Sequence, residues 1–460
     1  MSEWKKVGGL LVLLCWSASL SAQLMPERLS PQEQYAYYFN QAAQAYNAGN
    51  DADWVAATEK LHALRPFNQD FMTHLVQGYA RLGEKSKAFD MMLRMQQQGL
   101  AEDWSSYEEL ADLRQHSLYD HLSNLMSKAG EPFGEAEEYA VVPSTIPMPE
   151  AMALDAETDR LFVGTIRDGE IRVKSDDQQA WSVFADRDSV ADLRAVFALG
   201  IDSPRDVLWV ATGMTSQYQR FEREAFGEAA LIKLDLDTGE HLATYPVASA
   251  DQDHLLGALT VASDGTVYAT DSLLPVVYRL GPKAEGLELF FGSPMLSSLR
   301  GLALDEDKQK LYVADHETGI IVLDTSDREQ AWSLAIPETL NLGGIDGLYL
   351  SGQHLVVIQN GISPNRILRL ELGDDGLGVL AVAPVVAALP EFDGPTYGAM
   401  HDQTLYFFAN SHWQYVDSRG QPNQEPLPDV HILSTNINNP EVQVVGEEIL
   451  RQLQQQQQGN

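Results

Sequence analysis

The chain predicts a mainly β fold, a six-bladed β-propeller preceded by an N-terminal α-helical domain. Three observations carry this. A two-strand phrase recurs six times across residues 150–410, with apolar first strands AMAL, AVFAL, ALTV, GLAL, GLYL and YGAM. Each is followed by a tight turn and a second strand, LFVGT, LWVAT, VYATD, LYVAD, LVVIQ or LYFFA, with a polar residue at or just after its end. Residues 30–130, by contrast, show no strand-like alternation. A repeat of about 45–50 residues with several strands per unit is the mark of propeller blades.

Residues 1–22 read as a secretory signal peptide. Lys5 and Lys6 precede an apolar run, which leads into the small-residue stretch SASLSA. The run is too short to span a bilayer, and no later stretch is apolar enough, so no membrane span is expected. The single cysteine, Cys15, lies inside this leader. A mature chain without thiols has no disulfide, thiolate metal site or cysteine nucleophile. Export without cysteine suits a bacterial periplasm. The formal net charge of −35 excludes nucleic acid, which requires cationic stripes. It equally opposes docking on anionic lipid.

The helical domain is expected over residues 23–130. Two segments superpose at a spacing of 34 residues, pairing Gly49 with Gly83, Trp54 with Ala88 and Pro66 with Leu100. This resembles the tetratricopeptide repeat, whose implied role is a groove for a peptide or protein. A brace packed on the propeller is the alternative.

The propeller is expected over residues 131–440. The residues just before the six inner strands are Glu150, Arg194, Gly257, Arg300, Asp346 and Thr396. The long second interval holds an insertion, residues 215–228, in which Tyr218 and Phe221 are candidates for a lid or a partner contact, with a plain surface loop as the alternative. Third strands follow, such as IRVKS, LIKLDLD, IIVLD and WQYVD, with Asp-Thr-Gly and Asp-Asp-Gly as hairpin turns. The ring must close or leave open edges. Either VHILSTN (430–436) completes the sixth blade, or the strand around residues 139–142 zips it from the N-terminal side. The tail, 441–460, carries a Gln tract and reads as low complexity.

Inner strands line a propeller's channel, so aligned residues form rings. The first expected ring is the set of six above. Opposite pairs would be Glu150 with Arg300 and Arg194 with Asp346, a self-neutralising network or an anion site using Arg194 and Arg300. The second ring follows the second strands: Thr165, Thr212, Asp271, Asp315 or His316, Asn360 and Asn410. Of these, Asp271, Asn360 and Asn410 are candidate ligand contacts.

The blade pattern, strongest at PEAMALD (149–155) and GGIDGLYL (343–350), resembles the gluconolactonase/regucalcin-like six-bladed propellers, related to paraoxonases, over residues 145–440. The resemblance implies a divalent cation, usually calcium, and hydrolysis of lactones or esters. It carries metal ligation onto Glu150 and Asp346. The family's two asparagine ligands fall on Gly257 and Arg300, which offer no oxygen. The chain is therefore a divergent member of the pattern, and no cofactor is expected unless a cation binds at Glu150 and Asp346.

No nucleophile elbow, paired-histidine zinc motif, P-loop or dinucleotide fingerprint is present. His316 and His412 are the candidate general bases. Trp413 and Tyr415 are expected to pack the sixth blade. The leading expectation is an exported propeller that binds a small anionic ligand or a periplasmic protein partner at the channel mouth, with the helical repeats as an interaction surface. The alternatives are a metal-dependent lactonase or esterase and a purely structural assembly factor.

Overall fold

The computed structural model describes residues 29–175, 180–248, 252–423 and 426–438. The expected signal peptide, Cys15 and the Gln-rich tail lie outside them. The chain divides into two compact units. One comprises residues up to Met95 together with Asp103–Asn124, the other Gln96–Glu102 and everything from Leu125 onward.

The helical elements are α1 (Pro31–Ala48), α2 (Asp51–Leu64), α3 (Gln69–Arg81), α4 (Lys85–Gln97) and α5 (Ser117–Ala129). Ser30 and Glu33 form a capping box on α1, and Asn50 and Asn68 cap α2 and α3. These side chains satisfy backbone N–H groups that a first turn leaves free. Gly49 and Gly83, the pair aligned at 34 residues, have φ of 70° and 74° and end α1 and α3. Glycine enters that left-handed region without the Cβ penalty. Trp54, Leu61 and Phe71 pack with Ala42, Ala45 and Ala57 in the core of this unit.

The second unit is a ring of six four-stranded antiparallel sheets. A first strand, β1 (Glu137–Val142), precedes the blades. Blade one is β2 (Pro149–Asp155), β3 (Arg160–Thr165), β4 (Ile171–Ser175) and β5 (Ser182–Ala185). Blade two is β6 (Ala195–Asp202), β7 (Val207–Gly213), β8 (Ala229–Asp235) and β9 (His241–Pro246). Blade three is β10 (Leu256–Val261), β11 (Val267–Asp271), β12 (Val276–Leu280) and β13 (Glu288–Gly292). Blade four is β14 (Leu299–Asp305), β15 (Lys310–Asp315), β16 (Gly319–Asp324) and β17 (Ala331–Ser333). Blade five is β18 (Ile345–Ser351), β19 (His354–Gln359), β20 (Arg366–Leu372) and β21 (Val379–Ala387). Blade six is β22 (Gly398–His401), β23 (Thr404–Phe408) and β24 (Val430–Asn436), finished by β1.

Both closure candidates are therefore used. VHILSTN is the third strand of blade six, and β1 pairs antiparallel with it, from Glu137 opposite Ser434 to Val142 opposite Val430. The seam buries Val142, Met152, Val163, Phe408 and Val430 together, so blade six and blade one share a core. Cores between other blades follow the same plan, as where Phe162 and Ile171 of blade one meet Val210 and Ile232 of blade two. WQYVD, expected as a strand, is instead a short 3-10 turn at Trp413–Tyr415. It follows β23, and the true third strand comes later. Tyr218 of the blade-two insertion is no lid: it is buried against Met148, Ile166 and Phe197.

Candidate functional site

The first strand of each blade carries a β-bulge at its inner end. Pro149 pairs with Thr165 and Ala151 with Gly164, leaving Glu150 as the extra residue. The same break isolates Gly257 between Leu256 and Ala258, and Asp346 between Ile345 and Gly347. In blade four it falls between Leu299 and Leu302, where Arg300 lies. In blade two the break lies between Val196 and Ala198, so the bulged residue is Phe197. In blade six Thr396 donates to Phe408 O while Phe408 donates to Tyr397 O, and Gly398 pairs with Phe407; the bulged residue is Tyr397. A bulge re-aims its side chain out of the ladder. Glu150, Phe197, Gly257, Arg300, Asp346 and Tyr397 all line one cavity of about 400 Å³.

This corrects the expected first ring at two places. Arg194 is three residues before the bulge of blade two. Its Nη1 donates to Ala191 O and Leu193 O at 2.8 and 3.3 Å, and it borders a different cavity beside Asp192. Thr396 is one residue early, although it also lines the mouth. The expected pairing of Arg194 with Asp346 is absent, and Asp346 faces Arg300 instead. A signal for the right register was present. An aspartate stands five residues after Glu150, Phe197, Arg300 and Tyr397, at Asp155, Asp202, Asp305 and Asp402. The first three hold the following hairpin turn through Arg160, Arg205 and Lys308.

The second expected ring is largely structural. Asp271 accepts from the backbone N–H groups of Leu255, Leu273 and Leu274 at 3.0–3.1 Å and pairs with His254 at 2.6 Å. Asp315 accepts from Ser297, Ser298, Glu317 and Thr318. Thr212 accepts from Arg194 N, and Asn410 bridges Asp429 O and His431 N. In blade five that tether is Gln359, which donates to Asn341 O and Gly343 O. These side chains staple the end of each second strand to neighbouring backbone, which would otherwise be buried without partners. Asp271 and Asn410 do not line the mouth. Asn360, one residue past its tether, does, and its Nδ2 donates to Asp346 Oδ2 and to Pro395 O.

The mouth itself is a small charged cluster with aromatic walls. Arg300 Nε lies 3.4 Å from Asp346 Oδ1. Trp413, expected to pack blade six, donates its indole N–H to Glu150 Oε2 at 2.9 Å and lines the cavity. Sequence reasoning missed Phe197, Tyr397 and Trp413 as mouth residues. Burial pushes the Glu150 carboxyl up to about 8; Trp413 opposes the shift, the nearby Asp346 charge adds to it and Arg300 offsets part. Burial works against the Arg300 charge, but Tyr397, Asp346 and Glu150 outweigh it and hold the guanidinium above its ordinary value. Burial raises the Tyr397 phenol, so it stays protonated.

Of the two histidines, His316 borders the mouth beside Gly361, and its Nδ1 is 3.7 Å from Glu317. His412 is buried, with Nδ1 accepting from Met148 N and Nε2 donating to Pro428 O, at 3.0 and 2.8 Å. Burial lowers it below the usual histidine range. With both nitrogens engaged it is a tether between blades six and one, not a free base.

Two mouth residues depart from the cation-ligand set that the family resemblance implies. Calcium takes six to eight oxygens, whereas Gly257 supplies none and Arg300 sets a guanidinium against Asp346. Among the described residues no group of three or more His, Cys, Asp or Glu is arranged to hold a metal.

No protein-family model matches the chain, and no curated protein matches it. Solved structures do. A luciferin-regenerating enzyme is 15% identical over 68% of this chain and 97% of its own, with a TM-score of 0.47. A gluconolactonase from Xanthomonas campestris is 14% identical over 67% and 92%, at 0.43. An aldose sugar dehydrogenase from Streptomyces coelicolor is 16% identical over 66% and 99%, at 0.44. The propeller is established by the six sheets themselves, and these likenesses assign no residue a role.

Proposed function

We propose that the channel mouth binds a small anionic ligand bearing a carboxylate. The observation that carries this is Arg300, which keeps its charge in the mouth although its buried Nε makes no hydrogen bond and meets Asp346 Oδ1 only as an ion pair at 3.4 Å. A guanidinium offers five N–H donors in a fork that fits a carboxylate. Glu150 adds a donor, because a carboxyl titrating at about 8 holds its proton at neutral pH. Phe197, Tyr397 and Trp413 supply flat walls for the rest of the ligand. Calorimetric titration tests the reading, with gluconate and citrate as probes and glucose as the neutral control. Binding of the acids alone, lost in Arg300→Gln, supports it; no heat from either acid overturns it.

A second reading is favoured by Glu150 itself. A carboxyl poised near 8 in a cleft suits general acid–base work, and hydrolysis of a lactone or ester would use it without a metal. Turnover of δ-gluconolactone with an inflection near pH 8, abolished in Glu150→Gln, is its test. A flat profile at the uncatalysed rate removes it.

In either reading the protein works after export, as the leader at residues 1–22 implies, in a periplasm-like compartment. The helical unit is its surface for a protein partner. Co-purification of the full chain, with and without charge-reversing substitutions at exposed positions of α1 and α2, checks that assignment.

A further inference from the structure

A third cavity, of about 730 Å³, lies wholly within the propeller unit on the outer side of blade five. Its walls are apolar, with Phe133, Ile336, Leu368, Leu380 and Val382 among them. Phe133 and Leu380 are 39% and 53% exposed, which leaves large hydrophobic groups facing water at its edge. One charged side chain is sunk into this wall. Arg366 is only 6% exposed. Its Nε donates to Gln359 Oε1 at 2.8 Å, and its Nη1 to Gln98 O and Gly99 O at 2.9 and 3.3 Å. All are neutral acceptors, and Nη2 has no hydrogen-bond partner at all.

A buried charge without a counter-ion is costly. Burial lowers Arg366 to about 10, so it remains charged at neutral pH. The other charged groups lining the cavity are Lys128 and Glu131, both exposed at its edge. Two cations to one acid is an unusual local balance in a chain of net charge −35. A tether alone explains the carbonyl contacts of Arg366 but not its idle Nη2.

We propose that this cavity binds a small aliphatic carboxylic acid, with the alkyl chain on the apolar wall and the carboxylate on Arg366. The carboxylate completes the guanidinium's hydrogen bonding and neutralises the only deeply buried charge at the site, while the chain covers exposed hydrophobic surface. This site is separate from the channel mouth and shares no lining residue with it.

The test is calorimetric titration of the full chain with octanoate, 1-octanol and octylammonium. Octanoate is expected to bind at least about tenfold more tightly than 1-octanol, and octylammonium not at all. Arg366→Gln should erase the preference for octanoate. Because a buried arginine can be needed for folding, Ala335→Trp, at an exposed edge position, serves as the second variant. It should block octanoate while leaving the ligand-free melting temperature and the gluconate titration unchanged. Arg300→Gln should keep octanoate binding. Equal affinity for octanoate and 1-octanol, no binding of octanoate by folded protein at millimolar concentration, or loss of octanoate binding in Arg300→Gln each overturn the proposal.

Discussion

Arg300 Nε and Asp346 Oδ1 stand 3.4 Å apart across the boundary between blades four and five. Both are bulged residues, and the channel mouth is where their strands release them from the ladder. Asp346 also accepts from Asn360, so its charge is held from two sides. Arg300 has Asp346 as its one ion-pair partner among the described residues, and its Nε makes no hydrogen bond. That asymmetry leaves the guanidinium as the group in the mouth with binding capacity to spare.

Arg300→Gln is expected to weaken gluconate or citrate binding by tenfold or more, about 1.4 kcal/mol, with Asp346 still supported by Asn360. Arg194→Gln should leave the affinity unchanged, since Arg194 borders another cavity. Equal losses in both variants would show that the bulge register does not define the mouth. Calorimetry on the two folded proteins reads the difference.

Glu150 makes stability fall as pH rises. Its folded value of about 8 exceeds the ordinary 4.5, so the native state binds the proton more tightly than the unfolded state does. Below 4.5 both states are protonated and the group is neutral in its effect. Between about 4.5 and 8 the loss grows at up to roughly 1.4 kcal/mol per pH unit, and above 8 it is complete. Glu150→Gln, which keeps an acceptor for Trp413, should flatten that slope. Denaturant titrations of both proteins at pH 5, 6.5 and 8 measure it.

Calcium should not stabilise this propeller. A cation held by Glu150 and Asp346 would raise the melting temperature by mass action, yet Arg300 occupies that neighbourhood. Melting in EDTA and in millimolar calcium is expected to coincide. A rise of several degrees with calcium would mean that Arg300 moves aside.

Asp315→Ala is expected to cost about 3 kcal/mol, because it strands the backbone donors of Ser297, Ser298, Glu317 and Thr318. Thermal unfolding gives the figure. Asn410→Ala, which frees only one donor and one acceptor, should cost less.

Val142→Ala tests the seam. Val142 is fully buried between blades six and one, and losing two methyl groups there should cost about 1–3 kcal/mol. A neutral result would show that the ring does not depend on β1.

By itself the amino-acid sequence determined the architecture. Six copies of an alternating apolar phrase each specify one half-buried hairpin, and hydrophobic surface on both faces of every hairpin requires neighbours in a ring. The pairing of Gly49 with Gly83 and the position of Glu150, Gly257, Arg300 and Asp346 were legible for the same local reasons. Tertiary pairing alone decided which residue of blade two and blade six enters the mouth. A bulge is a shift in backbone hydrogen bonding between strands, and a hydrophobic pattern of period two reads the same on either side of it. So Arg194 looked equivalent to Arg300 until pairing put Phe197 in its place. Trp413 and Arg366 are the same lesson at longer range. Each acquires its surroundings from chain segments far away in sequence, Glu150 for one and Gln98 and Gly99 for the other, and only the folded chain brings those groups within reach.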